Sequence, residues 1–186
     1  MQRAIFLMSA FLILGFFSSV SAQTLTVIAN TDTIAPGGNN GGSFVGFNET
    51  VIDNGRIVFR GQDGNSNGLF SSNNGVLTRV VDSSTNVPGE TATFSNFSGT
   101  TQRASISNGS LAFTSLGSAS GGVYTINENG QIDAIVRSQE SVPGHNNSTF
   151  ASFAGQHIDN GNIVFRGGFG PFRVAYTSLK TAIFPK

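Results

Sequence analysis

The sequence predicts an all-β fold of tandem four-stranded antiparallel blades, similar to part of a β-propeller. Asn-Gly dipeptides, which suit tight hairpin turns, recur along the 186 residues, and no apolar period of 3.6 residues persists. One sequence pattern also occurs in three copies. The 24 glycines and 17 phenylalanines agree with short strands and frequent turns. The chain has room for about three blades, whereas closed propellers have roughly four to eight.

The first 22 residues have the parts of a secretory signal peptide. Arg3 precedes an apolar run at residues 4–17, and Ser-Val-Ser-Ala precedes a predicted cleavage after Ala22. The apolar run is shorter than the roughly 20 residues that span a membrane, and no cysteine follows it to carry a lipid. We therefore expect residues 23–186 to lie outside the cytoplasm, in the periplasm, at the cell surface or released, with no transmembrane segment.

One motif defines the repeat. It reads Ile-Asp-Asn-Gly-Arg-Ile-Val-Phe at residues 52–59, and variants of it occupy residues 106–113 and 158–165. Other landmarks keep nearly the same step, namely Pro-Gly at Pro36, Pro88 and Pro143, Phe-x-x-Phe starting at Phe44, Phe94 and Phe150, and the aromatic residues Phe70, Tyr124 and Tyr176. The sequence therefore predicts a β-propeller-like repeat domain over residues 23–186, with units at approximately 37–89, 90–144 and 145–186. Residues 24–36 would complete a blade.

Each predicted unit contains four strands, a to d. In the first unit, strand a ends at Ile52, strand b covers residues 56–60, strand c covers 69–71 and strand d covers 76–81. Asn-Gly turns would join a to b and c to d, as they would in the second unit at Asn108 and Asn129. Stacking would bury both faces of each sheet. This explains why Val58 and Val164 are apolar although they lie on the opposite face of the strand from their Ile and Phe neighbours.

Residues 25–29 align with strand d of the first unit, and many propellers use such a strand to join their ends. Three blades alone would nevertheless leave an incomplete ring with two exposed faces. A homodimer could complete a ring of six blades, the chain could be part of a longer repeat protein, or the repeats could form an elongated β-solenoid. The sequence leaves these three alternatives open.

Composition excludes several classes of function. Ten Lys and Arg balance ten Asp and Glu, which excludes a nucleic-acid binder that works by bulk positive charge. The absence of cysteine excludes disulfides, thiolate metal sites and a cysteine nucleophile. The sequence also contains no His-Glu-x-x-His and no phosphate-binding Gly-rich loop with Lys. Gly-x-Ser-x-Gly occurs at residues 64–68, but there it lies between two predicted strands and not at the strand-to-helix turn of a nucleophile elbow. We expect no catalytic residue, no cofactor and no nucleic-acid partner.

The longer loops, between strands b and c and between d and the next a, are the predicted binding face, because binding residues favour variable loops on a rigid scaffold. Phe169 and Phe172, which flank Gly170-Pro171 and do not recur, are candidates for an exposed apolar patch there. Alternating oxygens at residues 63, 65 and 67 resemble half of a calcium loop, although Asn74 replaces the usual glutamate at its twelfth position. The candidate binding residues are Asp63, Asn65, Asn67, His145, Phe169 and Phe172, and the first three are a weak calcium candidate.

The motif at residues 53–59 and its two copies resemble a family of bacterial secreted or surface proteins with tandem Asn-x-x-Gly-x-Val-x-Phe repeats. The Pro-Gly and Phe-x-x-Phe pairs, Gly-Leu-Phe at residues 68–70 and Leu-Thr-Arg at 77–79 share in the resemblance, which covers residues 25–176. It implies a propeller-like fold and no established catalytic residues.

The sequence thus favours a secreted, non-catalytic repeat module with a binding or structural role, and with a protein or a glycan as partner. One alternative is a lectin-like propeller that binds carbohydrate through the b–c loops. Another is a secreted hydrolase that uses His145 or His157, the two histidines of the chain.

Overall fold

The structure is a computed structural model of the chain. It describes residues 24–37, 42–64, 66–94, 97, 104–115 and 121–170, together with the backbone of residues 173–179. The predicted signal peptide and two of the predicted binding residues, Asn65 and Phe172, lie outside the described residues.

The described chain forms three antiparallel sheets and no helix, which confirms the all-β prediction. The first sheet contains β1 (Gly46–Asp53), β2 (Arg56–Gln62), β3 (Asn67–Asn73) and β4 (Val76–Asp82) in that order. The second contains β5 (Ser105–Ser107), β6 (Ser110–Ser115), β7 (Gly122–Ile126) and β8 (Ile132–Arg137), and the third has the order β11 (Arg173–Leu179), β10 (Asn162–Phe169), β9 (Ser152–Asp159). The two four-stranded sheets have the strand order of propeller blades, and the described residues show no closed ring.

Asn-Gly turns close four of the hairpins. At Asn54, Asn74, Asn108 and Asn160 the asparagine φ lies between 46° and 49°, and the φ of the following glycine lies between 77° and 80°. Positive φ at both central residues is the requirement of a type I′ turn, as predicted. The connection at Asn129 differs, because residues 127–131 separate β7 from β8 and the Asn127 side chain accepts hydrogen bonds from the amides of Asn129 and Gln131.

The three sheets pack against one another in series. Between the first and second sheets lies a core that includes Val58, Leu69, Val81, Phe94, Phe97, Leu111, Phe113 and Tyr124. Between the second and third lies a core that includes Ala112, Val123, Val136, Phe150, Phe153, Ile158, Ile163 and Phe165. The second sheet is therefore buried on both faces, as predicted. The prediction is wrong for Val164, which is 41% exposed because no described sheet covers the outer face of the third sheet.

The same aromatic group recurs in the first two units. Phe44 meets the ring of Phe70 edge to face with centroids 4.8 Å apart, and Phe94 meets Tyr124 in the same way at 4.9 Å. Burial in this apolar group raises the pKa of Tyr124 to about 12, with a smaller opposing contribution from Arg137. The recurring phenylalanines are therefore core residues, as predicted.

The third unit pairs differently along its last strand. Phe59 pairs with Phe70 and Phe113 pairs with Tyr124, whereas Phe165 pairs with Thr177. The register of β11 is thus shifted by one residue relative to the sequence alignment of Tyr176 with Phe70 and Tyr124. Because a shift of one residue exchanges the two faces of a strand, the sequence equivalence does not carry over to the sheet.

Candidate functional site

Asp63 stabilises the conformation of the predicted b–c loop. Asp63 is buried, and its carboxylate accepts hydrogen bonds from the backbone amide of Ser66 at 2.7 Å and from the Ser66 hydroxyl at 3.1 Å. The Asp63 amide in turn donates to the Ser66 carbonyl at 3.1 Å. These bonds form a compact Asx-type turn.

Asn67, at the end of the same loop, holds a neighbouring segment. Its side-chain oxygen accepts a hydrogen bond from the backbone amide of Phe97 at 3.0 Å, and Arg60 donates to the Phe97 carbonyl at 2.5 Å. The two residues therefore fix the backbone of Phe97 against the first sheet. Within the described ranges no three acidic or histidine side chains come together as metal ligands, and calcium binding at this loop stays a prediction.

The structure brings together His145 and Phe169, which the sequence assigned to the same face. Their ring centroids are 4.6 Å apart, and the rings are tilted by 46°. Phe169 is only 3% exposed and belongs to the core between the second and third sheets, so the expected exposed patch at this residue is wrong. The exposed His145 ring instead packs against the ring of a buried core residue.

The larger of two described cavities lies at the opposite end of the sheets, among the tight turns. This turn groove, of about 850 Å³, lies between the turns of the first two sheets and is lined by Asp53, Asn54, Arg56, Asn73, Asn74, Thr78, Asn108 and Glu128, among others. Arg56 spans the groove from one sheet to the next, since its guanidinium donates to the Gly109 carbonyl at 2.9 Å. The groove thus offers carboxylate, amide, hydroxyl and guanidinium groups to a polar ligand.

No predicted binding residue lines the turn groove. The sequence does not single it out, because a short Asn-Gly turn by itself indicates only a connection between two strands. A signal was present, since every Asn-Gly pair in the four I′ turns must lie at one end of its sheet and each directly follows an Asp, Asn or Ser. At the same end the second and third sheets are also joined, since the side-chain amide of Asn108 donates to the side-chain oxygen of Asn160 at 2.7 Å.

A second cavity, of about 490 Å³, follows the first strands of the three sheets. This inner-strand cleft is lined by residues 49–52 of β1, residues 104–106 in and beside β5, and His157 of β9. Serine hydroxyls join the latter two strands, because Ser105 and Ser107 accept hydrogen bonds from the amides of Ile158 and Asn160 at 3.1 and 3.2 Å. The exposed His157 is thus placed in the cleft with Ser105.

Glu49 gives the cleft its one acidic side chain among the described lining residues. It occupies a bulge in β1 with a positive φ of 37°, a conformation that a non-glycine residue adopts at a cost. Its Oε2 atom is buried without a hydrogen-bond partner. Gly155 occupies the corresponding bulge of β9 with a φ of 61°. The same bulge thus occurs in the first strand of both the first and the third sheet. Of these two bulges, the one in the first sheet carries a carboxylate and the one in the third carries a glycine.

No described segment forms a helix that is long and apolar enough to cross a membrane.

Comparison with known proteins identifies one family. No curated protein and no solved structure matches the chain. Residues 14–184 match the model of DUF7453, which is described as a family of unknown function. The match covers most of the sequence and includes all three sheets, and the chain therefore belongs to the DUF7453 family.

Proposed function

We propose that this protein is a secreted, non-catalytic repeat module that binds its partner outside the cytoplasm. The signal-peptide pattern of residues 1–22 supports export. Serial packing of the sheets, with their first strands side by side, supports a propeller-like scaffold. The observation that carries the proposal is the turn groove, a polar concave surface framed by I′ turns. Rigid turns lose little conformational freedom on binding, which favours recognition.

A carbohydrate is the ligand that the turn groove favours. Asp53, Asn73 and Glu128 present acceptors and an amide donor, and Arg56 adds a fixed donor group. Sugar hydroxyls need such alternating donors and acceptors, and a cavity of about 850 Å³ has the size of a small-molecule site. The proposed module is thus a lectin-like binder whose site is at the turn end.

The test is a glycan array probed with the full chain, followed by calorimetry with the best glycan. Replacement of both Asp53 and Asn73 by alanine should weaken binding at least about tenfold, because two groove side chains lose their hydrogen bonds. A matched variant replaces one carboxylate and one amide at the other end, Glu140→Ala with Asn146→Ala, both of which are exposed. It should bind as the unchanged protein does.

Two results would contradict the proposal. If no glycan binds, the carbohydrate ligand is wrong. If the Glu140→Ala, Asn146→Ala variant loses binding while the groove variant retains it, the site belongs to the longer loops and not to the turn groove. Export has a separate readout, since N-terminal sequencing of the exported protein should begin at Gln23.

A further inference from the structure

Two apolar residues are exposed although their counterparts in the other units are buried. Phe47 is 39% exposed, whereas Phe97 and Phe153, at the same position of their units, are 2% and 3% exposed. Val164 is 41% exposed, whereas Val58 and Ala112 are both 0% exposed. Both exposed residues therefore lie at positions that a neighbouring sheet covers elsewhere in the molecule.

The two exposed surfaces are complementary halves of an interface that the chain already forms twice. One half is the outer face of a sheet, where Val58 of the first sheet and Ala112 of the second enter the shared cores. The other half is the Phe-x-x-Phe pair with the aromatic residues beneath it. In the second unit, the ring centroids of Phe97 and Phe113 are 6.0 Å apart. The third sheet presents the first half at Val164, and the first sheet presents the second half at Phe47, which lies 5.8 Å from Phe59.

The segment before the first sheet repeats the conformation that follows β4. Its sequence at residues 25–29, Leu-Thr-Val-Ile-Ala, aligns with Leu-Thr-Arg-Val-Val at 77–81. The Asn30 amide donates to the Thr33 hydroxyl at 3.0 Å, and the Asp82 amide donates to the Thr85 hydroxyl at 3.1 Å. An antiparallel bridge follows each turn, between Ile34 and Ser43 and between Asn86 and Thr93.

Residues 25–29 thus correspond to a fourth strand that has no sheet of its own in the described structure. Leu25 and Val27 are 96% and 75% exposed. Among the described strands, β11 pairs along one edge only, with β10, whereas β3 and β7 pair with a fourth strand at the equivalent edge.

We propose that a second copy of this chain docks head to tail, with the outer face of the third sheet of one copy against the Phe47 surface of the other. Residues 25–29 of the second copy then lie beside β11 of the first, as β4 lies beside β3. A second copy is the occupant because each chain carries both complementary halves of the same interface. Such a contact is heterologous. It forms a closed ring if the rotation from one copy to the next divides a full turn evenly, and an open filament if it does not.

Cysteine cross-linking tests the contact directly, because the chain contains no cysteine. Copies with Phe47→Cys are mixed with copies that carry Val164→Cys, and a bismaleimide of short reach is added. The mixture should give a cross-linked product of one copy of each kind. A mixture of Val164→Cys with Val76→Cys should not, since Val76 is 64% exposed at the tight turns and away from both surfaces.

Sedimentation of the full chain gives the second readout. Val164→Lys should weaken self-association at least about tenfold, because docking would bury an unpaired ammonium group. Val76→Lys is the matched control and should associate as the unchanged chain does. A monomer at all concentrations, or cross-links between two Val164→Cys copies in place of the mixed product, would overturn the proposal.

Discussion

The phenylalanine groups depend on single residues that leave space for a ring. Gly61 is the clearest case, since a β-carbon there would lie 2.6 Å from Cε1 of Phe44 and 2.9 Å from Cδ2 of Phe70. In the third sheet Gly167 gives the same space to Phe150. In both units a missing side chain thus admits the first ring of the Phe-x-x-Phe pair.

Gly61→Ala should therefore lower the free energy of unfolding by about 1–3 kcal/mol, the range for overpacking a core. Urea denaturation measures the change. Gly46→Ala is the control, because the nearest atom to its new β-carbon would be Oε1 of Gln62 at 3.9 Å, an ordinary contact. Equal losses in the two variants would show that the Phe44 ring does not need the space at Gly61.

Asp82 is the residue at which pH should act on stability. Burial alone would raise the pKa of its carboxyl, but hydrogen bonds from Ser84, Arg79 and Thr85 outweigh burial and hold the pKa below its usual value of 3.8. The ionised carboxylate therefore stabilises the fold above the unfolded-state pKa. That contribution is lost as pH falls through the lower, folded-state pKa.

Asp82→Asn should lower the free energy of unfolding at pH 7 and should make the decline below about pH 4 shallower. Urea denaturation at a series of pH values from 7 to 2 gives both quantities. Asp32→Asn changes an exposed carboxylate in the equivalent turn of the N-terminal segment and serves as the control. The assignment fails if the two variants show the same pH dependence.

At the scale of strands and turns, the sequence predicted the I′ hairpins because Asn-Gly satisfies their positive φ angles locally. It did not predict the longer connection at residues 127–131. There the side-chain oxygen of Asn127 accepts hydrogen bonds from two backbone amides. These bonds stabilise a longer connection in place of a two-residue turn. Nor did it predict the register of β11, because pairing between strands depends on contacts across the sheet.

Strand β3 also positions a segment that is distant in sequence. Asn67→Ala would remove the acceptor of the Phe97 amide and leave that amide, in a buried residue, without its partner. We expect a loss of about 1–3 kcal/mol in the free energy of unfolding and faster hydrogen exchange at Phe97.

Asn73→Ala changes the exposed residue at the other end of the same strand and is the matched variant. Its stability should change by less than about 0.5 kcal/mol. Unchanged exchange at Phe97 in Asn67→Ala would show that Arg60, which donates to the Phe97 carbonyl, holds the segment without help.

At the scale of the whole molecule, the repeat period was sufficient to predict three sheets and their aromatic cores. Periodic residues such as Phe59 and Phe113 reveal which positions recur, and both of these recurring phenylalanines are buried. The exposure of Val164 could not be predicted in this way, because it depends on whether another sheet covers that face. The turn groove likewise arises from how two sheets are set against each other, which no local pattern encodes.

The serial packing of the sheets has a consequence for how such a gene can change. Since the shared cores of the described residues lie between consecutive sheets, duplication or loss of one whole unit would recreate junctions of the kind already present. A shorter insertion or deletion inside a strand would instead displace its side chains from both neighbours. We therefore expect recombination between copies to preserve the fold when it adds or removes 52 to 55 codons, the spacing of the repeats.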